Sequence, residues 1–285
     1  MVRGCLSTGT GIFLLPLYVR GNTEADSYII WTHGGPGSSG LYYGDIDEIA
    51  VLHDDYRIVY WDQMSSGGST GNPDKDDYNI EEFSDHHEAV IKIIQNRYNP
   101  KRMIILGHSW GGFLSAYYLI ANGDSSLATE RQAEIDGLLY GSDVSTHYQY
   151  IEDAGGMLVQ RNRNDELTRE LAPRMLFFSP FHFYNYYSNQ NTIRSCMDIT
   201  GKTLANPNQP NLSSLTVPTL FIAGEDDKIA FKYMSEEWFD MLGSYSGSDA
   251  EEEEYFKMYR NCAHAAFLDA PDQFQEDVVS FIENL

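Results

Sequence analysis

The chain has 285 residues, 42% of them hydrophobic and 13% aromatic, and sets 42 acidic against 19 basic side chains for a formal net charge of −23. That apolar fraction can form the core of one large domain or two modest ones, which excludes wholesale disorder. The negative field repels phosphate backbones and anionic head groups, so nucleic acid and membrane surfaces are poor partners.

Cys5, Cys196 and Cys262 are too few and too far apart for a disulfide framework or a CxxC metal site, which points to a reducing, cytoplasmic setting. In chain order, the longest apolar run is Ile12 to Val19. Pro16 interrupts it, and it falls far short of the ~20 residues of a membrane-spanning helix. No small-x-small cleavage site follows it, so it reads as an early β-strand rather than a signal segment. Tyr28 to Thr32, Arg57 to Trp61, Met103 to Leu106 and Thr219 to Ala223 each read as a buried strand.

Helical patterns lie between several of these strands. Asn79, with Glu82 three residues on, can cap a helix that puts Ile80, Phe83, Val90, Ile91 and Ile94 on one face and leaves His86 and His87 on the polar side. The acidic run Glu251 to Glu254 reads as a solvated loop. A last helix begins near Pro271 and buries Phe274, Val278, Phe281 and Leu285. This β/α alternation predicts a mainly parallel sheet covered by helices. It fails over 144–212, where Gly, Asn, Pro and rings such as Phe177, Phe181 and Tyr186 crowd together. That stretch reads as a helical lid inserted between core segments 1–143 and 213–285.

The chemistry concentrates at strand ends. Met103 to Gly112 reads MIILGHSWGG, an apolar strand running into G-x-S-x-G and then into a helical pattern, which is the context of a nucleophile elbow. Gly107 and Gly111 stand where a β-carbon would clash with neighbouring chain. The elbow holds Ser109 above the sheet, and the helix that starts there aims unpaired amides, Trp110 first, at developing negative charge. A serine nucleophile needs a base and a carboxylate later in the chain. After the strand PTLFIAG comes Glu225, Asp226, Asp227; Asp227 is the preferred acid, with Asp226 and Glu225 as competitors, because side-chain direction is not legible here. His264, in NCAHAAF between a strand pattern and the last helix, is the best base. His33 and His108 also flank glycines beside the site, but a base there would break the order Ser, Asp, His, so both read as structural. The strand YIIWT ends in HGGPG, residues 33–37, whose glycines let amides approach a substrate oxygen; Gly35 is the expected second oxyanion donor, and the Walker lysine of a phosphate loop is absent.

Together HGGPG, GHSWGG, the GEDD turn at 224–227 and His264 resemble the α/β-hydrolase fold, and specifically the prolyl iminopeptidase family. The resemblance implies a Ser109, Asp227, His264 triad, an oxyanion hole from the Gly35 and Trp110 amides, and release of an N-terminal residue from a small peptide or amide. The family's DQRGxGxS loop stands here as Asp62, Gln63, Met64, Ser65, Ser66, Gly67, Gly68, Ser69, so methionine replaces the arginine and the loop's pairing must differ. The lid is short for the family and lacks its tryptophan-and-glutamate segment. Glu152, with Tyr148 and Tyr150 as walls, is the candidate for holding a substrate ammonium, alongside Asp153, Glu166 and Glu170. No cofactor or metal is expected, and the expected partner is a small-molecule or short-peptide substrate. An esterase or lactonase on the same triad, and a non-catalytic binding protein on the same scaffold, are the competing readings.

Overall fold

The computed structural model describes residues 2–7, 12–35, 37–64, 66–69, 80–122, 135–140, 217–227, 235–236, 239–240, 245 and 248–285. The strands are β1 (Val2–Ser7), β2 (Ile12–Gly21), β3 (Ser27–Thr32), β4 (Arg57–Trp61), β5 (Arg102–Gly107), β6 (Ile135–Tyr140), β7 (Thr219–Gly224) and β8 (Phe256–Tyr259). They form one sheet in the order β1-β2-β4-β3-β5-β6-β7-β8. β1 and β2, and β2 and β4, pair antiparallel, and every pairing from β4 to β8 is parallel. The mainly parallel, helix-covered sheet is therefore as expected. β1 and β6 are additions that no apolar run announces.

Strand residues alternate strictly between two cores. On one face Ile30, Val59, Trp61, Met103, Ile105 and Phe221 pack with Ile80, Phe83, Val90, Ile91 and Ile94 of α3 (Ile80–Tyr98) and with Phe113 and Leu114 of α4 (Trp110–Asn122), the helices that follow the short α1 (Gly40–Gly44) and α2 (Asp47–Ala50). On the other, Ile29, Trp31, Ile58, Ile104, Leu106 and Ile222 meet the C-terminal helix Pro271–Glu283. The period of two that places Ile29 and Ile30 on opposite faces is the reason these strands read as continuous apolar runs.

Three expectations need correction. His86 and His87 are both buried, because α3 is clamped to the sheet over a wide arc and His87 stacks on Trp61 with ring centroids 5.5 Å apart. The last helix ends at Glu283 with Asn284 as its C-cap, so Leu285 falls outside it and is exposed, and Ile282 takes the buried position instead. The run Glu251 to Glu254 lies in a helix, Asp249–Tyr255, because Ser248 and Glu251 form a capping box. The expected cap at Asn79 lies outside the described residues, as does the whole of 144–212 with Tyr148, Tyr150 and Glu152. No helix among the described residues is long and apolar enough to cross a membrane.

Candidate active site

Parallel pairing aligns the strands' C-terminal ends along one rim: Thr32 is opposite Gly107, and Gly224 is opposite Tyr259. The residues that follow those ends are His33, Asp62, Ser109, Asp227 and His264, so chemistry scattered over 232 positions, 33 to 264, shares one edge of the sheet.

Ser109 sits directly between β5 and α4 with φ of 57°, in the left-handed region that L-residues adopt at a cost of about 1–3 kcal/mol. The surroundings enforce it. A β-carbon at Gly107 would overlap the Gly111 and Gly112 backbone, and one at Gly111 would overlap the Thr32 carbonyl, so the elbow can form only with glycine at both positions. The HGGPG turn packs against the same elbow, since a β-carbon at Gly34 would stand 3.0 Å from Ser109 Cβ. Gly35 has φ of 124°. Among the described residues no backbone carbonyl accepts from the Gly35 or Trp110 amides.

On the base side, β7 ends in a turn in which the Asp227 amide donates to the Gly224 carbonyl at 3.2 Å. The Asp226 amide donates to the Cys262 carbonyl at 2.9 Å, tying that turn to the loop carrying His264. Asp227 and His264 are both buried, and His264 Nδ1 lies 2.8 Å from Asp227 Oδ2. A carboxylate only accepts, so Nδ1 carries the proton and Nε2 of the neutral ring keeps its lone pair. Glu225 and Asp226 are exposed, which sets them apart from Asp227.

Polar brackets hold this rim. His33 Nδ1 donates to its neighbour Gly34 O at 2.7 Å, so its Nε2 accepts from the Gln63 amide at 3.1 Å. Burial pushes the His33 pKa down, opposed by the Asp62 carboxylate and by the Gly34 bond. Gln63 is a second joint: its Nε2 donates to the His33 carbonyl at 2.7 Å and its Oε1 accepts from the Trp110 indole at 2.9 Å. It thereby links the glycine turn to the elbow helix. Asp62 accepts from Ser39 Oγ at 2.9 Å, from the Gly40 amide at 2.8 Å and from the Gly68 amide at 2.8 Å. Three neutral donors thus bind the carboxylate in a loop that has methionine where the resemblance leads one to expect arginine.

No motif singles out Tyr43, and sequence reads His108 as a structural residue beside the site. Tyr43 Oη lies 2.8 Å from His108 Nδ1, and His108 Nε2 lies 2.9 Å from the His264 carbonyl. Burial raises the pKa of the Cys262 thiol, two residues before His264, to about 11, with the charges of Asp269 and Asp226 adding to the shift, which favours the thiol over the thiolate at neutral pH. No group of three or more metal-ligating side chains occurs among the described residues.

A family model described as the alpha/beta hydrolase fold matches residues 28–129, from β3 through the elbow. A proline iminopeptidase of Lactobacillus acidophilus is 24% identical over 281 residues, covering 90% of each chain. The crystal structure of a proline iminopeptidase from Mycobacterium smegmatis superposes with a TM-score of 0.60 at 18% identity, covering 99% of this chain and 98% of that one. An enol-lactonase from Burkholderia xenovorans gives a TM-score of 0.63 at 15% identity, covering 98% of this chain and 100% of that one. This chain has the α/β-hydrolase fold and, within it, resembles the proline iminopeptidases.

Proposed function

We propose that this chain is a serine hydrolase that releases an N-terminal residue, proline or another small or apolar one, from small peptides or amino-acid amides. The observation that carries the reading is the buried Asp227–His264 pair, 2.8 Å apart, on the same strand-end rim as a serine held at φ of 57°. In this mechanism His264 Nε2 takes the Ser109 proton as Ser109 Oγ attacks the scissile carbonyl. The Gly35 and Trp110 amides receive the oxyanion, and Asp227 steadies the imidazolium. His264 then protonates the departing amine, and water hydrolyses the acyl-enzyme by the same steps in reverse order of partners. The likeness to a curated proline iminopeptidase over 90% of the chain supports the peptidase assignment over other acyl transfers.

The enol-lactonase matches the fold as well as the iminopeptidase does, so a lactonase or esterase on the same triad is the second reading. Turnover of aminoacyl arylamides and p-nitrophenyl esters, by wild type and by Ser109→Ala, separates them. The expected outcome is cleavage of free-amine arylamides that is lost when the amine is acylated and that falls by roughly 10⁴-fold or more in Ser109→Ala. Dependence on the free amine would then direct Glu152→Gln as the next variant. Ester-only turnover overturns the peptidase reading, and binding without any serine-dependent turnover overturns the enzyme reading altogether.

A further inference from the structure

His264 is a loop residue, and a loop must be fastened to the elbow before an imidazole on it can meet a serine on the other. One fastening faces the acid: the Asp226 amide holds the Cys262 carbonyl, and the Ala263 amide donates to Asp269 Oδ2 at 2.7 Å. These orient the loop toward Asp227. The fastening toward the nucleophile comes from the residue immediately before it. The His108 backbone is pinned on both sides, its amide donating to Thr32 O at 3.1 Å and its carbonyl accepting from the Gly111 amide at 2.8 Å. Its buried side chain reaches across to the His264 carbonyl, 2.9 Å from Nε2. That carbonyl can only accept, so Nε2 carries the proton. In the neutral ring Nδ1 then accepts the Tyr43 hydroxyl at 2.8 Å. The His108 and His264 rings lie 5.0 Å apart between centroids, and Phe267, in the turn that follows His264, packs edge-on against His108 at 5.1 Å.

We propose that His108 is the positioning residue of this site: through its bond to the His264 carbonyl it sets the approach of the His264 imidazole to Ser109. The proposal rests on the serine-hydrolase reading above. A rigid single-residue link between nucleophile and base matters because proton transfer is steep in distance, and a misplacement of order 1 Å can cost ~10²-fold. Tyr43, held in the helical turn Gly40–Gly44, donates to Nδ1, the nitrogen of His108 that the His264 carbonyl leaves as an acceptor.

The test is a series in the full chain: His108→Gln, His108→Asn, His108→Phe and Tyr43→Phe. A glutamine amide nitrogen reaches as far from Cα as Nε2 and can donate to the His264 carbonyl, whereas asparagine reaches only the Nδ1 position and phenylalanine offers no donor. The readouts are kcat and KM separately, the second-order rate of fluorophosphonate labelling of Ser109, and the folded fraction. His108→Asn and His108→Phe should lose roughly 30-fold in kcat and in labelling rate with KM within about 2-fold of wild type, while His108→Gln recovers most of the loss. Tyr43→Phe, which deletes one hydroxyl and leaves the packing, should lose about 3-fold in the same two rates. The proposal is overturned if glutamine is no better than asparagine, if the change falls on KM, or if the loss is matched by unfolded protein. Absence of serine labelling in the wild type overturns the hydrolase reading and the brace with it; wild-type labelling that the His108 variants retain in full overturns the brace alone.

Discussion

Asp62 and Asp227 are both buried carboxylates just past the C-terminal end of a parallel strand, and they are bound in opposite ways. Asp62 accepts from a serine hydroxyl and two backbone amides, all neutral and all fixed in the fold. Asp227 faces the imidazole of His264, a group that can take up a proton and become a cation. The first is a bracket whose donors have nowhere to send a proton. The second can stabilise a charge that appears only during a reaction. Burial and position on the rim are shared, so under the proposed mechanism what separates a structural from a reactive carboxylate is whether its hydrogen-bond partner can titrate.

Isosteric neutralisation should therefore have opposite signatures at the two sites. Asp227→Asn leaves the shape intact but places a donor against His264 Nδ1, favouring the wrong tautomer, and should lower kcat by roughly 10⁴-fold with little change in stability. Asp62→Asn offers one oxygen and an amide to three donors, so at least one N–H or O–H loses its acceptor and meets a donor instead. It should cost about 2–4 kcal/mol in stability, with kcat per folded molecule changing by less than about 10-fold. Chemical denaturation alongside steady-state kinetics reads both. If Asp62→Asn abolishes turnover in fully folded protein, or Asp227→Asn mainly unfolds the chain, the contrast between the two carboxylates is wrong.

The frame that carries both carboxylates is legible in the sequence, while the contrast between them is not. The strands ending at Thr32, Trp61, Gly107 and Gly224 are apolar runs with local punctuation, and the glycines at 107 and 111 mark the elbow because a β-carbon there has no room. Sequence prefers Asp227 but keeps Glu225 and Asp226 as competitors, since the choice depends on which side chain a turn directs inward. β6 is not legible in the sequence because Asp136 and Gly137 break its apolar run, and a strand in mid-sheet is specified by its neighbours as much as by its own residues. His108, Tyr43 and Gln63 carry no motif of their own as a bracket: their partners lie 156, 65 and 47 positions away in sequence. The polar side expected for His86 and His87 fails for a related reason, since a polar residue type on a helix says nothing of whether the sheet supplies it a partner.

His87 extends the comparison from carboxylates to imidazoles, with the smallest effect. It is fully enclosed between Trp61 and Tyr118, and its Nε2 lies 3.1 Å from Thr32 Oγ1. Burial lowers its pKa from 6.5 to about 3, so in the folded chain it stays neutral through the whole mildly acidic range. The unfolded chain, with an ordinary imidazole, takes up a proton there below about 6.5. Above that pH the group is neutral in both states and contributes nothing to pH dependence. Between about 6.5 and about 3 the unfolded state binds the extra proton, so stability falls with falling pH, by up to about 1.4 kcal/mol per pH unit for this one group. His87→Phe keeps a flat ring against Trp61 and cannot titrate. Unfolding free energies from denaturant curves at pH 7, 6 and 5 should show a shallower acid decline in His87→Phe, by up to one proton's worth of slope, with His33 contributing to what remains because burial lowers its pKa as well. Equal slopes in variant and wild type would mean that His87 gains a proton on the fold's own terms, and the neutral, structural side of the rim would then be as responsive to protons as the reactive one.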